Sequence, residues 1–267
     1  MTAGVSARVC ALVEAGGVPG RNPLLPLLAA ELAGRGIALS AWDPTGGFAL
    51  PPAAPDADLY LLKGDHPSVL TAASCLADAG ARTLNTLESS ALVTDKARAL
   101  ARVAAAGVPV PASVVAGDVE ALAAALADGP RVVKPVRGAH GEGVQRLGPG
   151  EQARACGGPW LVQEPVGDGG PDLKTYGVGS RAAVRAVRFT PGVVDAPRRV
   201  LDDPPAGLAE LGAQAAAACG LTCWGADFLL GPDGPVLIDL NAFPGYRSVS
   251  EAPGWIADAV VAALAGT

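Results

Sequence analysis

Lysine and histidine are both scarce in this sequence. Lysine and arginine together number 20 in the 267-residue chain, yet the lysines are only Lys63, Lys96, Lys134 and Lys174. The 2 histidines leave little material for a zinc site or a Ser-His-Asp triad. Because Ala, Gly, Val and Leu dominate, scarce lysine fits a high-GC coding bias. Each remaining lysine is therefore a candidate for placing a compact, mobile charge on a phosphate, which arginine does less well.

Paired cysteines and long apolar runs are also missing. The 5 cysteines form no CxxC pair, which favours buried thiols in a reducing compartment. The longest apolar stretches, such as LLPLLAAEL and ADAVVAALAG, are too short or too broken by proline to span a bilayer. The N-terminal stretch lacks the sustained apolar core of a signal peptide. We therefore expect a cytoplasmic protein that has no membrane partner.

Positive charge is in deficit. The chain has 26 acidic against 20 basic residues, a net charge of -6 and a pI near 4.9. This is the wrong sign for binding a phosphate backbone, so we expect no nucleic-acid partner. Half of the residues are apolar, and the length allows a buried core divided into two or three compact units.

The order of apolar runs predicts three regions. Residues 1–85 alternate short apolar strands with helical segments, which is typical of an α/β domain with a parallel sheet. Residues 86–163 predict two helices, a strand, a helix beginning at Asp118, and a strand pair around a glycine loop. Residues 164–267 predict further strands, a helix, a last strand pair and a terminal helix.

The stretch VVKPVRGAHGEGV places a lysine before a glycine-rich loop. Strand alternation predicts that Val132, Lys134 and Val136 share one face. The glycines that follow, at 138, 141 and 143, permit backbone dihedrals that turn successive N–H groups onto an anion. The lysine precedes the loop, so this is not the Walker pattern. The alternative is a glycine-rich hairpin with a solvent-exposed lysine.

Three oxygen-bearing side chains interrupt the last two apolar strands. Asp239 and Asn241 lie two residues apart and share a face, with Ile238 and Leu240 predicted to point together into the buried layer. Asp227, on the preceding strand, supplies a third oxygen donor. Two carboxylates and an amide oxygen suit Mg²⁺, which leaves room for phosphate oxygens. The alternative is a hairpin whose acidic residues are solvated and whose turn is at Asp233 and Gly234.

Taken in order, several motifs resemble the series found in the ATP-grasp superfamily: TDKARALARVAAAGVPVP, VVKPVRGAHGEGV, WLVQEPV, DLKTYGVG, GADFLL and LIDLNAFPGY. The resemblance covers about residues 85–250. It implies an α/β protein in which two α+β lobes, 86–163 and 164–267, clamp ATP behind a small parallel-sheet α/β domain over residues 1–85. ATP and Mg²⁺ are the cofactors that it implies.

The resemblance also assigns roles to individual residues. Lys96 and Lys134 match the lysines that reach the α- and β-phosphates, and Gly138, Gly141 and Gly143 match the loop over the triphosphate. The remaining assignments are the backbone near Glu164 and Val166 for adenine, Asp172 for the ribose, and Asp227, Asp239 and Asn241 for magnesium. The sequence departs from the family at His140, where a small or polar residue is more usual, and at Asp239, where many members have Glu.

Two reactions use this apparatus. The ending NAFPG resembles the ribosomal-protein glutamate ligases and related amino-acid ligases, which form an acyl phosphate that an amine then attacks. The segments VQEPVGDGGPDLKTYGVG and IDLNAFPGY are also similar to inositol-trisphosphate kinases. A polyphosphorylated inositol needs a dense basic pocket, and Arg185 and Arg188, three apart on a strand, point to opposite faces. We therefore favour the ligase, with small carboxylate and amine substrates and a homodimer as the candidate assembly.

Four further side chains have a predicted functional role, and three of them also have a plainer interpretation. Arg188 is predicted to hold a substrate carboxylate or to steady the acyl phosphate. Lys174 is predicted to face the nucleotide, with a surface lysine as the alternative. Lys63 and His66 follow a strand of the first domain, where ligands bind by the strand-end rule. A helix-capping turn explains the segment around Asp65 and Pro67 as well.

Overall fold

A computed structural model describes residues 7–14, 24–138, 143–149, 151–154, 157–167, 172–187, 198–200 and 204–266. For residues 185–187 and 198–200 it describes the backbone only. Among the helices of these ranges, none has the length and apolar character needed to cross a bilayer.

The N-terminal part is a four-stranded parallel sheet, as the alternating pattern predicted. Its elements are β1 (Ala7–Leu12), α1 (Leu24–Ala33), β2 (Ile37–Trp42), β3 (Leu59–Leu62), α2 (Pro67–Asp78) and β4 (Thr83–Leu84). The strand order is β2-β1-β3-β4, and each pair is parallel. All four residues of β3 are buried because helices cover both faces of the sheet. The carboxyl ends of the strands therefore meet at one edge.

A second sheet follows and is antiparallel. Its region contains α3 (Leu87–Val93), α4 (Lys96–Ala105), β5 (Ser113–Ala116), α5 (Val119–Ala125), β6 (Arg131–Pro135), β7 (Gln145–Leu147) and β8 (Trp160–Gln163). The strand order is β5-β8-β6-β7. The predicted pair of strands around the glycine loop is β6 with β7. Asp118 begins α5 as predicted, since its carboxylate accepts the Ala121 N–H at 2.8 Å.

The third sheet has five strands and carries Asp172, Lys174, Asp227 and Asp239. Its region contains β9 (Asp172–Val178), β10 (Arg181–Val187), β11 (Arg198–Val200), α6 (Leu208–Ala218), β12 (Cys223–Gly231), β13 (Gly234–Ala242) and α7 (Ala252–Ala265). The order is β11-β10-β9-β12-β13, with antiparallel neighbours. The short strand β11 was not predicted. The turn between β12 and β13 falls at Pro232 and Asp233, one residue before the predicted Asp233 and Gly234, and Gly234 at φ 119° is the first residue of β13.

The third sheet has two different faces. On one, Leu173, Trp224, Phe228 and Leu240 pack with α3, α4 and α6 into an apolar core. The opposite face is apolar only at one end, where Tyr176 and neighbouring side chains join α1, α7 and the first sheet in a second core. Its other end is charged.

The three sheets draw on residues 7–84, 113–163 and 172–242 in turn. The domain boundaries predicted after residues 85 and 163 stay predictions. The terminal helix α7 packs on α1 of the first sheet, although it is the last element of the chain.

Candidate active site

A row of charged side chains crosses three neighbouring strands. In the register of the third sheet, Lys174 of β9 pairs with Asp227 of β12, and Asp227 pairs with Asp239 of β13. Residues paired across antiparallel strands carry their side chains on the same face. Asp172 lies two residues before Lys174 and shares that face. The fold thus places Asp172, Lys174, Asp227 and Asp239 together, although 67 residues separate the first from the last.

Lys174 and Asp227 form an ion pair between the Nζ and Oδ2 atoms. Their side chains are 19% and 16% exposed, so water screens the pair less than it would a surface pair. Burial alone would lower the pKa of Lys174, but the charge and hydrogen bond of Asp227 raise it above the ordinary lysine value. Lys174 is therefore positively charged at neutral pH.

The two other carboxylates of the row have raised pKa values. Burial is the main cause for Asp239, and the neighbouring charge of Asp227 raises the pKa of Asp239 further. The charges of Lys96, Lys134 and Lys174 act in the opposite direction, so all three ammonium groups lie within electrostatic reach of Asp239. Burial also raises the pKa of Asp172, against the effect of Lys174. Two carboxylates directly opposite each other repel, and a cation would relieve that repulsion.

Lys134 reaches this face from the second sheet. It is 9% exposed, which rules out the solvent-exposed lysine of the plainer interpretation. Its Nζ donates to the carbonyl oxygen of Ile238 at 3.2 Å. Burial lowers the pKa of Lys134, and the charge of Asp239 partly offsets that effect.

A β-bulge explains why the Ile238 carbonyl is available. Asp227 pairs with Asp239 but Phe228 pairs with Leu237, so Ile238 is the extra residue of β13. The extra residue of a bulge is left out of the ladder, and its carbonyl can take another donor. The bulge also overturns the expectation that Ile238 points into the core with Leu240. Leu237 is fully buried in its place, and Ile238 is half-buried.

Lys96 is the first residue of α4. Its backbone N–H donates to the Val136 carbonyl at 3.0 Å, and its Nζ donates to the Gly138 carbonyl. The Asp95 carboxylate begins the helix by accepting the Arg98 N–H at 3.1 Å. These bonds hold the start of α4 against the end of β6. The charges of Lys96 and Lys134 both act on Asp239. The roles predicted for these three residues stay predictions.

No family model matches the sequence. The chain is similar to a protein named "Probable alpha-L-glutamate ligase" from Stenotrophomonas maltophilia (strain R551-3), at 28% identity over 192 residues. The match covers 66% of this chain and 66% of the relative, so just under two thirds of that relative's length is spanned.

The similarity to solved structures extends over almost the whole chain, further than the sequence match does. The RimK domain protein ATP-grasp from Sphaerobacter thermophilus DSM 20745 has a TM-score of 0.77 at 23% identity, over 94% of this chain and 98% of that one. D-cycloserine synthetase DcsG has a TM-score of 0.76 at 20% identity, over 96% and 99%. The chain has the ATP-grasp fold. The resemblance drawn from the motif series, including the glutamate-ligase group, is confirmed.

The ATP-grasp glycine loop is described only at its two ends. Gly138 has φ 151° and Gly143 has φ 72°, and at 72° the backbone lies in the left-handed region that favours glycine. Gly141 and His140 lie outside the described residues. The predicted role of this loop in covering a triphosphate stays a prediction.

The predicted adenine hinge joins the second and third sheets. The Glu164 N–H donates to the Ala112 carbonyl at 3.0 Å, and the Glu164 side chain is exposed. Val166 is half-buried, and a Cβ placed on Gly231 would lie 3.6 Å from it. Gly167 has φ 63°, and a Cβ there would overlap the Leu230 carbonyl oxygen. Only glycine fits this close crossing, where the predicted hinge segment meets β12.

The donor set fits magnesium only when substrate oxygens complete it. Among the described residues, no group of three or more His, Cys, Asp or Glu side chains could hold a metal ion. Asp227 and Asp239 would supply two ligands and the Asn241 amide oxygen a third, which leaves positions for phosphate oxygens. Lys174 is paired with Asp227 Oδ2, so a metal would compete with that ammonium for the carboxylate.

Two features were not predicted from the sequence. One is the unusual backbone conformation of the segment that follows β13, and the other is the buried side-chain amide of Asn85. Phe243, Tyr246 and Ser248 have φ values of 41°, 47° and 64°, which non-glycine residues rarely adopt. Aromatic packing and a 2.8 Å hydrogen bond from the Tyr246 hydroxyl to the Gly177 carbonyl hold this segment beside Asn241. Fully buried Asn85 accepts the Thr222 and Cys223 N–H groups at 2.9 and 2.7 Å. The motif FPGY, with its proline and glycine, could have indicated the unusual backbone after β13.

Two other predicted residues have different outcomes. Arg188 lies outside the described residues, and the Arg185 side chain is not described, so their predicted roles stay predictions. His66 begins α2, with its Nδ1 accepting the Ser68 N–H at 3.1 Å, which confirms the helix-capping interpretation for that residue. Lys63, three residues earlier, has no capping role in α2.

Proposed function

We propose that the chain is an ATP-dependent ligase that joins a carboxylate to an amine through an acyl phosphate. The observation that carries the proposal is the convergence of Lys96, Lys134 and Lys174 on Asp227 and Asp239, on one sheet face. Alternating positive and negative groups of this kind suit a metal-bound triphosphate. The similarity to a protein named alpha-L-glutamate ligase supports a C–N bond as the product.

In this proposal each residue has a limited role. Lys96 and Lys134 bind α- and β-phosphate oxygens, and the backbone at Glu164 and Val166 binds adenine while Asp172 binds the ribose. Asp227, Asp239 and Asn241 would hold Mg²⁺, which when bound neutralises charge on the triphosphate. Lys174 forms an ion pair with Asp227, and a bound Mg²⁺ would compete with its ammonium group for that carboxylate.

The proposed reaction has two steps. A carboxylate oxygen of the substrate attacks the γ-phosphorus, the bond from γ-phosphorus to the β,γ-bridging oxygen breaks, and ADP leaves. The amine nitrogen then attacks the acyl carbon, the C–O bond to phosphate breaks, and the amine proton passes to solvent. The protein contributes alignment of the three reactants and charge stabilisation. Arg188 remains the proposed group for the substrate carboxylate or acyl phosphate.

The kinase alternative has less support. A polyphosphorylated inositol needs several convergent cations, whereas the three lysines at the site already face carboxylates. The named relative is a ligase. The small carboxylate and amine substrates, a cytoplasmic location and a homodimer stay predictions.

Hydroxylamine trapping tests the proposal. The purified protein is incubated with ATP, Mg²⁺, hydroxylamine and a panel of amino acids and dicarboxylates, and ADP and hydroxamate are measured. A ligase gives hydroxamate and ADP in equal amounts, whereas a kinase gives a stable phosphate ester. Asn241→Ala should lower turnover tenfold or more while its melting temperature stays near that of the wild type. Full turnover in this variant would contradict the assigned ligand set.

A further inference from the structure

We propose that Lys63 binds a spectator carboxylate of an amino-acid substrate, that is, a carboxylate which takes no part in the acyl transfer. The inference rests on the proposed function and deepens it, since it names a class of substrate and the residue that recognises it. It starts from the position of Lys63 between two parts of the molecule.

Lys63 connects the edge of the first sheet to the active-site face of the third. It directly follows β3, an interior strand, and its N–H donates to the Leu12 carbonyl at 3.0 Å. Its Nζ lies 6.0 Å from the centroid of the Phe243 ring. Phe243 is two residues beyond Asn241 in the chain. Lys63 therefore contacts the segment that directly follows the proposed magnesium ligands.

The ammonium group of Lys63 has no direct anionic partner among the described residues. The ion pairs and hydrogen bonds of the described ranges include none at Lys63 Nζ. The side chain is half-buried, and burial lowers the pKa of Lys63. A partly desolvated cation is unfavourable unless an anion completes its surroundings. The neighbouring aromatic ring compensates only in part.

Glu14, the carboxylate whose charge raises the pKa of Lys63 most, is hydrogen-bonded to the backbone. Glu14 Oε1 accepts the N–H groups of Asp65 and His66 at 2.7 and 2.6 Å. Gly64 allows this close fit, because a Cβ at that position would lie 2.8 Å from the same oxygen. Glu14 therefore fixes the loop that presents Lys63 and acts as a positioning residue. Asp65 is exposed and is near enough to affect the pKa of Lys63 only through its charge.

A second cation reinforces the preference for an anion. Arg247 is close enough for its charge to lower the pKa of Lys63. It lies in the segment 243–248, whose backbone is held by the contacts of Tyr246 with Phe243 and Gly177. Lys96 and Lys134 are assigned to phosphate and Lys174 is paired with Asp227, which leaves Lys63 for a different group. A free carboxylate of an amino acid has the complementary charge.

Substrate kinetics with L-glutamate test the proposal, because the named relative is a glutamate ligase. ADP release is measured at saturating ATP and Mg²⁺ with L-glutamate and hydroxylamine. We expect Lys63→Met to raise the KM for L-glutamate at least tenfold, with kcat and the KM for ATP within twofold of wild type. Lys63→Arg should restore most of the affinity, and Arg82→Met, which removes an exposed cation of the same domain, should change nothing.

Two analogues identify the carboxylate. 4-Aminobutyrate lacks the α-carboxylate of glutamate, and L-glutamine lacks the γ-carboxylate. The analogue that lacks the group bound by Lys63 should have the same KM with wild type and Lys63→Met. A KM for L-glutamate within twofold of wild type in Lys63→Met overturns the proposal, as does an equal loss with L-glutamate and both analogues.

Thermal unfolding separates recognition from a structural role. Removal of a half-buried charge that has no partner should raise the melting temperature of Lys63→Met without substrate, whereas a structural lysine would lower it. If the wild type releases no ADP with any substrate, the proposed ligase function fails and calorimetric titration with L-glutamate decides the remaining point. Binding that is present in wild type and lost in Lys63→Met supports the inference. Absence of binding in wild type overturns it.

Discussion

The two faces of the third sheet are formed by the same strands, but one face is apolar and the other carries the charged row. Phe228 is fully buried on the face that packs against α3, α4 and α6. One residue away along β12, Asp227 faces the other way and is paired with Lys174. Strand alternation alone separates the two environments.

The difference shows where the chain is optimised for stability and where it is not. The apolar face gains from each side chain that it buries. The charged face places Asp227 opposite Asp239, an arrangement that is unfavourable without a cation. Unfavourable local arrangements of this kind are concentrated at functional sites. Substitutions on one face should therefore change stability, and those on the other should change ligand binding.

The largest expected effect is on the apolar face. Phe228→Ala removes a fully buried ring and should lower the free energy of unfolding by about 3–5 kcal/mol. Urea titration followed by circular dichroism measures the loss. At a temperature where the variant is still folded, its affinity for ATP should stay near that of wild type. A normal free energy of unfolding would contradict the assignment of this face as core.

Much of this comparison was predictable from local sequence. The strands around Asp227 and Asp239, the turn between them and the shared face of Asp239 and Asn241 follow from alternation and turn residues. The series of motifs predicted the ATP-grasp fold, since its order along the chain is more specific than any one motif. Each of these inferences depends on residues close together in the chain.

What could not be predicted depends on contacts between distant strands. Lys174 meets Asp227 only because β9 lies beside β12, an arrangement that skips β10, β11 and α6. The bulge at Ile238 is hidden in a continuous apolar run, where either neighbour could be buried. The approach of Lys63 to Phe243 depends on how the first sheet packs against the third. The hydrophobic periodicity of a sequence does not indicate which distant strands lie side by side.

The next effect should be on nucleotide affinity. Lys134→Met keeps the length of a buried side chain but removes the charge, and should weaken ATP binding by roughly tenfold to a hundredfold, as expected for a hydrogen bond to a charged group. Isothermal titration calorimetry with ATP and Mg²⁺ measures the change. The free energy of unfolding without ATP should fall little or rise, because a desolvated charge is removed. If ATP binds with unchanged affinity, Lys134 does not contact the phosphates.

The ion pair on the charged face should have a moderate effect on stability. Lys174→Met leaves Asp227 opposite Asp239 without its cation, and should lower the free energy of unfolding by about 1–3 kcal/mol. The double variant Lys174→Met with Asp227→Asn should lose less than the sum of the single losses, because neither charge is then left alone. Chemical denaturation of all four proteins completes the cycle. Strict additivity would show that the pair makes no net contribution.

The smallest effect should come from an exposed ion pair outside the apolar core and the charged row. Asp258 of α7 accepts hydrogen bonds from Arg35 and Arg181, each at 2.6 Å, and its side chain is 46% exposed. These bonds, from Arg181 first, lower the pKa of Asp258 below its ordinary value of 3.8. Because the folded-state pKa is the lower one, the stabilisation is present above pH 3.8 and is lost as the pH falls through the folded value.

Asp258→Asn should therefore cost only about 0.2–1 kcal/mol at pH 7, as is usual for exposed pairs. The difference from wild type should shrink towards zero below pH 3.8. It should also shrink in about 1 M salt, where the screening length is near 3 Å. Urea denaturation at pH 7 and at pH 3.5, each in low and high salt, measures both trends. A loss as large as that of Lys174→Met would show that exposure does not distinguish this pair from the one on the charged face.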